Sequence, residues 1–191
     1  MKKYILLFSL FITFLAIQPV YAQYDDSYSE ETIYRGWFMI GYGYSQSVDN
    51  SWKSDGPFKI TVGGNLWKYV AMELAADTSW KEWHDNGKNV SWTFDLKPYV
   101  LLQYSLGNPK NAILPYVGIA PVLSIAGIDF DNYNDKSTFD VGVAAKAGIR
   151  LRLLQFLMLG LGMEYTYHYN GLPVDRNMSQ FTAGFDAGFS W

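Results

Sequence analysis

The last eleven residues constrain this chain more than any other stretch. They read Phe-Thr-Ala-Gly-Phe-Asp-Ala-Gly-Phe-Ser-Trp. Side chains alternate between the two faces of an extended strand. Phe181, Ala183, Phe185, Ala187, Phe189 and Trp191 therefore share one face, and Thr182, Gly184, Asp186, Gly188 and Ser190 share the other. One face is apolar throughout and the other is small and polar. An apolar face about ten residues long is what a tilted strand needs to cross hydrocarbon.

The opposite end carries an export pattern. Lys2 and Lys3 precede an apolar run from Tyr4 to Ile17, Pro19 breaks that run, and Val20-Tyr21-Ala22 offers small residues for cleavage before Gln23. Residues 1–22 are expected to be a cleaved secretory signal peptide. Residues 23–32 hold Asp25, Asp26, Glu30 and Glu31 among Ser and Tyr, and are expected to be a disordered leader. Residues 33–191 then form one domain, and after the signal no run is long and apolar enough for a membrane-spanning helix. With no cysteine, neither a disulfide framework nor a thiolate metal site is available despite export. A net charge of −3 without a basic patch argues against nucleic acid as a partner.

The alternation recurs eight times. It predicts strands at Tyr34–Gln46, Phe58–Leu66, Tyr69–Lys81, Val90–Tyr104, Ile113–Phe130, Phe139–Leu153, Phe156–Tyr169 and Phe181–Trp191. In each, one parity is apolar. The other parity carries Lys59, Glu73, Asp77, Lys81, Asp95, Lys97, Asp140, Lys146, Arg150, Arg152, Glu164, His168 and Asp186, together with many glycines. Tight connections near Trp67–Lys68, Gly107–Lys110 and Leu154–Gln155 alternate with longer polar ones at Ser47–Pro57, Glu82–Asn89, Asp131–Thr138 and Asn170–Ser179. Short turns at one end and long loops at the other are a membrane-barrel pattern, and an even strand count puts both termini at the short-turn end. Pro98 and Pro121 fall in mid-strand, where each removes a ladder donor, and predict either a bulge or a misplaced boundary. The expected fold is thus all-β: a closed, eight-stranded, antiparallel up-and-down transmembrane barrel with a lumen filled by side chains.

The chain resembles the small eight-stranded outer-membrane barrels of Gram-negative bacteria, such as the barrel domain of outer membrane protein A and its smaller relatives. The alternation, the strand start Leu114-Pro115-Tyr116-Val117-Gly118 and the terminal Phe189-Ser190-Trp191 carry the resemblance. It implies residence in the outer membrane with both termini periplasmic. It also implies contact with outer-membrane lipids, and recognition of Phe189 and Trp191 by the barrel-assembly machinery. It does not fix an activity, since such families include anchors, adhesins, narrow channels and lipid-modifying enzymes.

The thirteen inward residues include six cations and six carboxylates, a balance suited to internal pairing, since unpaired charge in a narrow interior is costly. The expected role is structural or surface-interacting, through an extracellular ligand or surface met by the four long loops. A narrow porin-like channel for small or hydrophobic solutes is the alternative. A lipid-modifying hydrolase is more remote. Tyr167-His168-Tyr169-Asn170-Gly171 faintly resembles the active-site strand of lipid A deacylases, but the serine of that pattern is replaced by Asn170, and His168 has inward parity. No catalytic residue, cofactor or metal is therefore assigned. A soluble lipocalin-type barrel fits less well, because its apolar face would line the inside. Trp37, Trp67, Trp80, Trp83, Trp92, Trp191 and the run Tyr165, Tyr167, Tyr169 are expected in interfacial girdles. Trp52 is expected as a solvated loop residue.

Overall fold

The structure is a computed structural model that describes residues 36–49, 51–54, 56–83, 90–107, 110–130, 133–169 and 179–191. Residues 1–22 and 23–32, expected as signal peptide and leader, lie outside the described residues, as do His84 and Asn170. Ten strands are formed among the described residues: β1 (Trp37–Ser47), β2 (Trp52–Ser54), β3 (Phe58–Asn65), β4 (Val70–Trp83), β5 (Val90–Gln103), β6 (Leu106–Gly107), β7 (Ala112–Phe130), β8 (Tyr133–Leu153), β9 (Leu157–His168) and β10 (Gln180–Ser190). Eight are long, and β2 and β6 are short additions. The long strands pair antiparallel with their neighbours in chain order, and β10 pairs β1 from Trp37↔Ser190 to Ser47↔Gln180. That last pairing closes an eight-stranded barrel and leaves no free edge, as a sheet in hydrocarbon requires.

The register sets the shape. Gln46 is followed around the ring by Phe181, Tyr165, Ala145, Ile119, Val100, Met72 and Gly64. Gly64 stands one residue past the partner of Trp37, so the circuit returns beside Gly36, ten residues from its start. Eight strands with this stagger enclose an interior that side chains fill. The first and last described residues meet at one rim, where Gly36 and Trp191 exchange backbone hydrogen bonds of 3.2 and 3.1 Å.

The faces follow the alternation. Ile119, Leu161, Phe185 and Tyr167 are exposed outward, whereas Tyr99, Leu101, Val122 and the charged residues point in. Trp67, Trp80, Trp92 and Trp191 lie on the outer surface, as do Tyr165, Tyr167 and Tyr169. Trp37 does not belong with them. It is 1% exposed and lies inside, because it shares parity with Met39 and Gly41. Gly63 across the strand pair makes room for it, since a Cβ there would strike the indole.

Four further expectations change. The loop expected at Ser47–Pro57 contains β2, and Trp52 is fully buried, not solvated. β2 continues the line of β3 with a one-residue offset. It pairs Ser45↔Ser54 with β1 and Trp52↔Trp83 with β4. Gly56 sits in the break at φ 118°, a conformation few other residues adopt. The offset inverts the alternation and turns Trp52 and Ser54 inward. The loop expected at Asp131–Thr138 is mostly strand: β8 starts at Tyr133, and the hairpin with β7 runs to Phe130↔Tyr133 after a register shift near Ile128. The turn expected at Gly107–Lys110 holds β6, paired through Leu106↔Ile113. Pro98 and Pro121 mark neither a bulge nor a boundary. The β5–β7 pairing keeps one register on both sides, Leu96↔Leu123 and Val100↔Ile119, so the two prolines stand opposite each other. Both missing donors fall on that single seam.

Candidate functional site

The charged residues of the inner face assemble into two storeys. Glu73 on β4 is the centre of the lower one. It accepts hydrogen bonds from Lys146 and Arg150 of β8 and from Trp37 Nε1 of β1 at 2.9 Å. The aromatic rings around it carry the cations. Arg150 stacks over Tyr116 and Trp37, 4.4 and 4.8 Å from their centroids, and Lys146 Nζ lies 3.9 Å from the centroid of Tyr99. A guanidinium over an indole keeps favourable contact where water is excluded. Asp186 on β10 packs against the bare backbones of Gly41 and Gly160 nearby.

Lys97 on β5 is the centre of the upper storey. Its ammonium donates to Asp77 at 2.7 Å and Glu164 at 2.5 Å and lies 3.5 Å from Asp95. Ser124 donates to Asp95 at 2.5 Å and Thr166 to Glu164 at 3.2 Å. Lys59 stands 3.8 Å from Glu164 and is 20% exposed, so it is the most accessible of these charges. Above this storey, His168 Nδ1 meets Asp140 at 3.1 Å, and Lys81 Nζ lies 4.3 Å from the centroid of Trp52. Arg152, on β8 toward the rim where Gly36 and Trp191 meet, is buried as well.

All thirteen charged or titratable residues singled out by parity thus line the interior, and the ion pairs join strands far apart in sequence, such as Lys97 with Glu164. The inward set read from the sequence did not include Trp37, Tyr99 and Tyr116, which seat the cations. A signal for two of them existed: Lys97-Pro98-Tyr99-Val100 and Leu114-Pro115-Tyr116-Val117 nearly repeat, and each puts its tyrosine on the inner face.

The recess bounded by Lys59, Lys146, Glu164, Asp186, Tyr116 and Thr182 has a volume of ≈ 30 Å³, space for about two water molecules. Among the described residues no group of three or more His, Asp or Glu side chains is placed to hold a metal ion. His168 faces the lumen, 4% exposed, so its imidazole does not meet lipid. At the mouth, Ser51 donates to Asp49 through its hydroxyl at 2.7 Å and its N–H at 3.1 Å, and the hydroxyl holds the Asp49 carboxyl below its usual range. At the opposite rim, Phe189 stacks between Phe38 and Trp191 at 5.5 and 5.9 Å on the outer surface.

No family model and no curated protein sequence matches the chain. Solved structures match throughout the barrel. Neisserial surface protein A superposes with a TM-score of 0.64 at 13% identity, covering 82% of this chain and 96% of that one. The N-terminal β-barrel domain of Pseudomonas aeruginosa OprF gives 0.54 at 15% identity, over 82% and 97% of the two chains. The attachment invasion locus protein Ail of Yersinia pestis, solved with the heparin analogue sucrose octasulfate, gives 0.51 at 13% identity, over 82% and 99%.

Proposed function

Taking the chain as a closed barrel with the fold of the small eight-stranded outer-membrane proteins, we propose that it is an integral outer-membrane protein. Both of its termini lie in the periplasm, and its role is structural or surface-interacting, carried by the connections at the far rim. The observation that supports this most is the crowded interior. Two stacked charge clusters and the buried rings of Trp37, Tyr99 and Tyr116 fill the lumen around a recess of ≈ 30 Å³, which favours a structural interior over a conducting one. A chain that spends its interior on internal pairing has its exposed connections left for recognition. The likeness of fold to an attachment protein solved with a sulfated sugar analogue is in keeping with this reading. The outer aromatic residues near both rims support contact with lipid headgroups.

Refolded residues 23–191 in a planar bilayer are expected to show a heat-shifted folded band on a gel and no conductance steps. Reproducible steps altered by Arg150→Ala or Glu164→Ala would replace this reading with the narrow channel.

A further inference from the structure

We propose that Trp52 is a stopper, carried on β2, that opens and closes a polar vestibule in the upper lumen. β2 fills the space between β1 and β4 above β3, and its ladder is short, two residue pairs on each side. The Trp52 N–H donates to Ser47 Oγ at 3.1 Å, and the indole lies over the Lys81 ammonium. Gly56, at φ 118°, follows as a pivot.

Lys81 Nζ, under the indole, has no hydrogen-bond partner among the described residues, and neither have three other buried atoms of the same end of the barrel: Ser54 Oγ, His168 Nε2 and Gln180 Oε1. They come from four strands, β2, β4, β9 and β10. Lys81 and His168 both lie within electrostatic reach of Asp95, and Lys81 also within reach of Asp140, which holds His168. The set contains donors and acceptors, so water satisfies all of it at once, whereas a single ion of either sign does not. The closed form buries a large indole and gains a cation–π contact, but it strands polar groups that pay the full cost of desolvation. The open form reverses both terms. A short ladder with these opposed contributions is a two-state element. Opening admits water down to Lys97 and no further, because Lys97, Asp77 and Glu164 close the lumen below. The vestibule is a dead end, distinct from a pore, and its opening displays Trp52 at the surface beside Lys53, which is exposed already. The inference rests on the barrel and the placement of β2, not on the surface-interaction reading.

The chain has no cysteine, so single thiols report access directly. Ser79→Cys puts a thiol beneath the stopper, and Val48→Cys puts one on the exposed side of the same connection. The probe is a membrane-impermeant trimethylammonium methanethiosulfonate, applied to folded protein in liposomes. With Trp52 present, position 79 is expected to react at least ~10-fold more slowly than position 48, and Trp52→Ala to remove most of that difference. Lys53→Pro, which disrupts the β2 ladder without touching a lumen side chain, is expected to accelerate position 79 in the same way, and it serves if Trp52→Ala does not fold. Equal rates at positions 79 and 48 with Trp52 present would overturn the proposal. So would a rate at 79 unmoved by Trp52→Ala and Lys53→Pro.

Discussion

The two storeys of the lumen are built on opposite plans. In the lower one a single carboxylate, Glu73, gathers two cations and an indole N–H. In the upper one a single ammonium, Lys97, gathers three carboxylates. Glu73 with its two direct cations leaves positive charge over, and Lys97 with its three carboxylates leaves negative charge over, so each centre is incomplete without the other. Lys146, on the ring of Tyr99, and Lys59, beside Glu164, stand where the two meet. The difference teaches where the barrel is vulnerable. Removing a central group leaves like charges facing each other in a buried site, whereas removing a peripheral group leaves one charge with its other contacts intact.

Lys97→Met is expected to have the largest effect. It leaves Asp77, Asp95 and Glu164 together without their shared cation. The loss is expected to reach about 5 kcal/mol, the top of the range for removing one partner of a buried pair. A urea titration of the folded band in detergent measures it. Adding Asp77→Asn and Glu164→Gln to the same chain is expected to restore much of the loss. A Lys97→Met barrel as stable as the parent would break the comparison, because the upper carboxylates would then not depend on one cation.

Glu73→Gln comes next, at about 3 kcal/mol. It strands Lys146 and Arg150, but both keep aromatic rings beneath them, and those contacts hold part of the cost. The same titration would contradict the asymmetry if Glu73→Gln cost more than Lys97→Met.

The sequence made the strands legible because alternation is a property of the backbone and needs no knowledge of neighbours. It made the inward residues of the candidate site legible for the same reason. Their partners were not legible. Lys97 meets Glu164 because β5 and β9 face each other across the lumen, and that follows from stagger, which no single segment encodes. Trp52 was lost because one irregular step at Gly56 reverses the parity of three residues. Trp37 was misplaced by its position near a strand end, though its parity pointed inward. Tyr133–Thr138 read as loop because it lacks an apolar face, and it pairs as a strand with β7 all the same.

Trp37→Phe probes the neutral arm of the lower storey. It removes the N–H that Glu73 accepts at 2.9 Å and part of the surface beneath Arg150. The expected cost is about 2 kcal/mol, in the range for a hydrogen bond to a charged group. A cost near zero would mean that Lys146 and Arg150 satisfy Glu73 by themselves.

Ser124→Ala probes the matching arm above, and the smallest effect is expected there. Ser124 donates to Asp95 at 2.5 Å, but Asp95 sits at the longest of the three distances from Lys97, 3.5 Å. Losing the hydroxyl leaves a carboxylate still within reach of the ammonium, and alanine fits where serine stood without a new clash. The expected loss is about 1 kcal/mol, at the low end for a charged acceptor. The informative measurement is a double-mutant cycle. If Ser124→Ala costs the same in the Lys97→Met chain as in the parent, the hydroxyl and the ammonium hold Asp95 independently. If its cost rises when Lys97 is absent, the hydroxyl takes up part of the work of the missing cation, and the upper storey is one coupled unit in which every donor depends on the central charge.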